Sequence, residues 1–321
     1  MKKELGTFLL LVLLCVVVTI KSPNFITPTN LQNLARLIGM YGIFSIGLGL
    51  VIITGGIDLS VGSVFALLGV VMSMMLTEWG WPSALAVLGI IGLATALGAL
   101  HGLLITKVRV QPFIVTLCGL LFYRGLARFI SNDETKGFGT GAGFETLKTL
   151  ATGSVVGIPT PFVLLVIISV VMWVVLHRSV YGRYLFAVGR NETAARYSGI
   201  NSQKIVASAY IILGALVGVA GIVFAFYTNS ISPSSHGNSF ELYGIAAAVL
   251  GGCSLRGGEG SIIGILIGTA LLQVLQNLVN LLGIPSSLNF AVLGAVILVG
   301  VIADQILQRR SARVKAAAKP A

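Results

Sequence analysis

RSVYGRYLFAVGRNETAARYSGINSQK, residues 178–204, is one long polar stretch between two apolar runs of near-membrane length, 161–177 and 205–227. It carries Arg178, Arg183, Arg190, Arg196 and Lys204, so it belongs on the basic side of whatever the flanking runs cross. Asn191-Glu192-Thr193 reads as a helix start. The Asn191 side chain can accept from the amides of the following turn, and Glu192 favours the positive end of the helix dipole. Ala194, Ala195, Arg196 and Tyr197 continue the helix, and Gly199 can end it in a left-handed cap. On local chemistry alone the segment is either a solvated loop or a docking helix for a soluble partner.

Charged residues are 10% of the 321, hydrophobic residues are 56%, and the mean hydropathy is +0.97. A water-soluble domain carries about a quarter charged residues. This chain has too little polar surface to cover a globule in water, and it reads as an all-α protein that crosses a membrane many times. The formal charge of +11 is spread over short loops and a tail, which fits positive-inside topology and not nucleic-acid binding. Cys15, Cys118 and Cys253 have no metal-ligand spacing, and the first two are expected to pack within apolar runs. The first run lacks a small-residue cleavage site before Lys21-Ser22-Pro23 and reads as a retained helix.

Apolar runs able to cross, or nearly cross, a bilayer are 5–21, 34–53, 59–77, 83–106, 111–130, 161–177, 205–227, 241–253, 260–282 and 288–307. The run 241–253 is short and is expected to be a broken or re-entrant helix, whose backbone survives in lipid only under a cover of protein or in a cavity. Ten crossings put both termini on one side. With the N-terminus inside, Lys2, Lys3, Lys107, Arg109, the basic residues of 178–204, Arg256, Arg309, Arg310, Arg313, Lys315 and Lys319 all lie inside. Lys21, Arg36, Arg124, Arg128, Lys136 and Lys148 fall outside or at outer helix ends, so the bias gives N-in and C-in. The organisation is one transmembrane domain, 1–308, with an inner loop at 178–204, an outer loop at 131–160, and a basic tail, 309–321, near anionic headgroups. Trp79 and Trp81 are placed as an interfacial aromatic belt.

Gly55 and Gly56 permit a tight turn, after which Asp58 or Ser60 can cap the next helix. Pro112 fits a first helical position, where the amide lacks a partner anyway. Arg124 and Arg128, one turn apart, either snorkel or form a cationic docking patch for a soluble protein outside. Gln273, Gln276, Asn277 and Asn280 share one helical face, too polar for lipid. They either bond to neighbouring helices or line a pore whose amides pair with the hydroxyls of a neutral polar solute, with Phe224, Tyr227 and Asn229 adding a stacking surface. Gly98 with Gly102, Gly214 with Gly218, and Gly264 with Gly268 read as close helix contacts, and His101 reads as a packed residue.

Four runs, in order and spanning nearly the whole chain, resemble one family. They are Thr54-Gly55-Gly56-Ile57-Asp58-Leu59-Ser60-Val61-Gly62-Ser63; Val110-Gln111-Pro112-Phe113-Ile114-Val115-Thr116-Leu117, ending in Tyr123-Arg124-Gly125; the segment 187–200; and the segment 240–261, with Gly251, Gly252, Gly257 and Gly258. They are similar to the ribose-type permeases, membrane subunits of binding-protein-dependent ABC sugar importers. Two departures are Cys253 for a usual Thr and Tyr243-Gly244 for a pair that is often Asp-Ala. The resemblance implies a ten-helix permease in the bacterial inner membrane, paired with a second copy or a paralogue. It implies a separate ABC ATP-binding subunit that docks on Gly189, Asn191, Glu192, Ala194, Ala195, Arg196, Ser198 and Gly199. It also implies a periplasmic or lipoprotein sugar-binding protein outside. No G-x-x-x-x-G-K-[ST] run exists, so ATP and Mg²⁺ are expected on the partner, with no cofactor, metal or catalytic residue in this chain. The alternative is an ion-coupled secondary sugar transporter, which needs titratable groups at mid-membrane; the acids here map to loops or helix ends.

Overall fold

The computed structural model describes residues 2–139 and 143–285 and isolated positions up to 298. Most of the run 288–307 and all of the tail 309–321 lie outside the described residues. Among the described residues, seven helices are long and apolar enough to cross a membrane. They are α1 (Lys2–Lys21), α2 (Pro28–Ile53), α4 (Ser83–Thr106), α5 (Pro112–Ile130), α7 (Thr160–His177), α10 (Ser202–Thr228) and α12 (Ile262–Leu281). Two shorter apolar helices, α3 (Val61–Thr77) and α11 (Phe240–Leu250), complete an all-α polytopic membrane protein. Three short helices are α6 (Glu145–Thr152), α8 (Val180–Arg190) and α9 (Glu192–Tyr197).

The two shorter helices are short because they begin inside the protein. Residues 54–55 turn out of α2, with Gly55 at φ 82°, and residues 56–60 form an irregular connection to α3 in which Asp58 and Ser60 are buried. The helix then starts at Val61, with Ser60 at the cap position but making no side-chain cap bond. The Asp58 carboxylate does not cap α3; Oδ1 accepts from the Ser60 amide at 2.8 Å and hydroxyl at 2.7 Å, closing the turn ahead of the helix. The α3 amide of Gly62 instead donates to Glu241 Oε2 of α11 at 3.3 Å. Two helix N-termini thus meet in the interior around one carboxylate, which suits their positive dipole ends.

Residues 131–160 hold α6 and an antiparallel pair, β2 (Ser154–Val155) and β3 (Ile158–Pro159). In the same region β1 (Lys136–Gly137) pairs with β4 (Ser230–Ile231), tying this region to the segment after α10. Arg128 forks onto Asp133 at 2.9 and 2.6 Å, and that bond holds the Asp133 carboxyl below its usual range. Cys118 is exposed on α5, away from the packing face, which corrects the expectation that it packs. Trp79 and Trp81 are half-exposed neighbours, 6.5 Å apart.

The anticipated small-residue contacts are present. α4 and α10 pack along much of their length, with Gly98 against the Tyr210 carbonyl and Gly214, and Gly214 against the Ala94 carbonyl. On α12, Gly264 and Gly268 face the Gly251 and Ala247 carbonyls. Gly98→Leu is therefore expected to destabilise the protein by about 1–3 kcal/mol, seen as a lower thermal unfolding midpoint in detergent. Gly92→Ala, where nothing lies within 4 Å of the new methyl, should leave the midpoint unchanged or higher.

Candidate functional site

At the end of the bundle carrying residues 178–204, three loops converge on bare backbone. Gly258 N donates to Ile53 O at 2.8 Å, bridging the 251–260 loop to the end of α2. Gly189, near the end of α8, lies over that bridge; a methyl group there would strike the Ile53 carbonyl and come within 2.6 Å of Gly258 N. Gly257 and Gly55 have φ of 81° and 82°, and a Cβ on Gly257 would lie 2.6 Å from Gly189 O and 2.9 Å from Gly55 N. Glycine is required on both counts. Glycines from three of the four signature runs thus form one junction. Gly251 packs on Gly264 of α12, and Gly252 has φ of 94°.

Beyond the junction, α9 is built as the sequence indicates. Asn191 Oδ1 accepts from Ala194 N at 2.9 Å, and Gly199 closes the helix at φ 84°. Ala195 is buried, whereas Asn191, Glu192, Ala194, Arg196, Ser198 and Gly199 are exposed, and Tyr197 is 90% exposed. Glu192 Oε1 accepts from Ser202 Oγ at 2.9 Å, which fastens α9 to the start of α10. The amphipathic α8, capped by Ser179 on Gly182 N, was not foreseen. Its glycines and arginines mask the period.

Asp58 lies in the loop before α3 and Glu241 in the first turn of α11, and both are buried. Asp58 Oδ2 sits 3.3 Å from His101 Nδ1, and His101 Nε2 lies 2.8 Å from the Tyr123 hydroxyl. Tyr210 donates to the Ile57 carbonyl at 3.1 Å. The segment 56–60 is therefore held by α4, α5 and α10, and His101 is a packed residue with two partners.

Of the α12 amides, Gln276 donates to the Tyr243 hydroxyl at 3.0 Å, so one departure from the family pattern carries its own partner. Asn277 exchanges a pair of hydrogen bonds with Asn30, at 2.8 and 3.1 Å. Gln273 is buried, and Asn280 is exposed. Gly244, the other half of that departure, lets α11 approach Phe44 and Leu48 of α2. Phe224 and Tyr227 join an aromatic belt with Tyr41, Phe44, Phe65, Phe240 and Tyr243. Arg124 points inward and donates to the Pro233 and His236 carbonyls at 3.1 and 2.8 Å, while Arg128 is exposed.

Residues 30–301 match the family described as branched-chain amino acid transport system / permease component. The ribose import permease protein of Bacillus subtilis strain 168 is 40% identical over 304 residues, covering 94% of this chain and 93% of that one. The ribose import permease protein of Escherichia coli strain K12 is 40% identical, covering 92% and 91%. The D-allose transport system permease protein of the same strain is 31% identical, covering 95% and 92%. No solved structure matches. The chain belongs to this permease family, in its ribose-type ABC branch, and is a multi-pass protein of the bacterial plasma membrane and not a catalytic enzyme.

Two predictions concern the site itself. Tyr123→Phe, which strips one buried hydrogen bond from His101, should cost about 1 kcal/mol of stability, and Asp58→Ala more, about 2–3 kcal/mol, because it leaves His101 Nδ1 and the Ser60 amide and hydroxyl without their partner; thermal unfolding in detergent ranks them. Gly189→Val should push α8 off the bridge, so that trypsin cuts after Arg196 faster than in the parent protein.

Proposed function

We propose that this chain is the membrane-spanning subunit of an ATP-driven importer for a simple, ribose-like sugar. The observation that carries the reading is the glycine junction, which joins an exposed, capped helix directly to the ends of α2, α8 and α11. A separate ABC ATP-binding subunit docks on Gly189, Asn191, Glu192, Ala194, Ala195, Arg196, Ser198 and Gly199. Closure of the ATPase dimer moves α9 and, through Gly189, the elements bordering the pore. That motion couples to transport only because the partner binds the two pore states with different affinity. ATP and Mg²⁺ reside on that partner, and this chain carries no cofactor of its own.

The further assignments follow the same reading. Ten crossings with N-in and C-in orientation put the basic end in the cytoplasm. A periplasmic or lipoprotein receptor delivers sugar at the opposite end, with Arg128 available to it and Arg124 shaping the segment beneath. A second copy or a paralogue completes the pore, and Gln273, Gln276, Phe224 and Tyr227 border the path. Asn277 and Asn280 contribute packing and end polarity.

Buried Asp58 and Glu241 are what favours the second reading, an ion-coupled secondary sugar transporter. Both carboxylates already accept hydrogen bonds, and Asp58 also faces His101.

Co-expression with the ATP-binding subunit encoded nearby tests the first reading. A stable complex in detergent is expected, and Glu192→Ala/Arg196→Ala should lower ATPase recovery at least fivefold. Sugar uptake should persist under an uncoupler when ATP is maintained. Failure to bind any ATPase, with sugar carried by the chain alone in liposomes, would favour the secondary transporter.

A further inference from the structure

We propose that Arg36, His236 and Gln273, together with the rings of Tyr41, Phe224 and Tyr227, form a sugar-binding site that is shut in this structure. The inference rests on the sugar-permease reading and adds to it the place where sugar is held within the chain.

Three buried side-chain atoms lack a hydrogen-bond partner among the described residues: Arg36 Nε, His236 Nε2 and Gln273 Oε1. They come from α2, the segment 229–239 and α12; one run of ring contacts connects the first two and ends one helical turn from the third. The Arg36 guanidinium lies 6.0 Å from the Tyr227 ring, Tyr227 is 6.3 Å from Phe224, and Phe224 is 5.1 Å from His236. The run continues from Phe224 through Phe240 to Tyr41 at 4.7 and 5.0 Å, then to Tyr243 at 5.6 Å. The Tyr243 hydroxyl accepts from Gln276, one helical turn from Gln273.

Buried polar atoms without partners are costly and rare, so three around one aromatic belt call for a ligand. Their chemistry is mixed. Arg36 Nε donates, Gln273 Oε1 accepts, and a neutral imidazole nitrogen does either according to tautomer. Burial and the nearby Arg124 lower His236 to about 4, so the ring is uncharged at neutral pH. A sugar hydroxyl both donates and accepts, and the C–H faces of a sugar ring pack against aromatic faces. An amino acid suits the site less well, because its ammonium group needs a carboxylate. The two buried acids nearest, Glu241 and Asp58, already accept hydrogen bonds from Gly62 and Ser60.

The rings now fill the space. Phe44 and Phe240 stack at 5.9 Å with planes 2° apart, so entry requires the belt to part. Tyr227, 40% exposed, is where a sugar would first arrive.

The test is uptake into proteoliposomes holding the full chain with the ATP-binding subunit and sugar receptor encoded beside it. Radiolabelled D-ribose, D-allose, D-fructose and L-leucine are the probes, and ATP hydrolysed is measured in parallel. The parent complex is expected to carry at least one sugar and not leucine. If it carries none of the three sugars, the permease reading and the site fall together. Arg36→Leu, Gln273→Leu and Tyr227→Leu are each expected to lower sugar carried per ATP at least fivefold, and Tyr227→Phe less than twofold. Leu121→Ala, on the exposed face of α5, gives the baseline. If the parent transports sugar and the Leu variants match it per ATP, the site is wrong while the permease reading stands. Should a Leu variant not assemble, Arg36→Lys and Gln273→Glu replace it; a threefold change in preference among the three sugars supports the site, and an unchanged preference overturns it.

Discussion

The backbone hydrogen bond from Gly258 to Ile53, with Gly189 resting on it, fixes how the loops at the basic end relate to the helices. Side-chain contacts absorb small displacements by changing rotamer. Peptide groups in direct contact have no such slack, so a shift of α8 must move the end of α2 and the 251–260 loop with it. The glycines are there because a Cβ at Gly189 or Gly257 would occupy the space of another residue's backbone. The contact is rigid for the same reason that it is restricted to glycine.

The bilayer sets the second constraint, since backbone left unpaired at membrane depth is costly. Here α3 and α11 both begin in the interior, and each open N-terminus needs an acceptor. Glu241 serves Gly62, and Asp58 serves the turn entering α3. At about 1.5 Å per residue, α11 is ~16 Å long, roughly half of a ~30 Å hydrocarbon core. Buried carboxylates in this protein are thus accounted for by helix ends, before any proton or ion is invoked.

That geometry also explains what was legible in the sequence. Each of the first nine apolar runs coincides with a helix, and Asn191 and Gly199 mark α9 because caps are local chemistry. Run length alone marked α11 as a short helix. The interior start of α3 was hidden, since its apolar run continues through residues 59 and 60, which precede the helix. Partners distant in sequence were hidden as well: Glu241 on Gly62, Asn277 on Asn30, and Arg124 on the carbonyls of 233 and 236. Polarity shows that a partner is needed without saying which. The four amides of α12 share a face, yet one bonds across to α2, one to α11, one is buried and one is exposed. One spacing therefore covers four environments.

Helix α11 connects the two halves of the molecule's chemistry. Its first turn carries Phe240 and Glu241, against the aromatic belt and the start of α3, and its last residue leads into Gly251 and the glycine junction. A helix of three turns without proline transmits displacement along its axis with little bending. Gly244 seats it against Phe44 and Leu48 with no side chain between, so movement of α11 changes the spacing of belt rings on α2. The junction and the belt are accordingly opposite ends of one lever. Parting the rings frees the unpartnered atoms around them for a ligand, and closing the rings makes their burial costly again. On the coupling proposed above, energy delivered at the junction opens a site that otherwise stays shut.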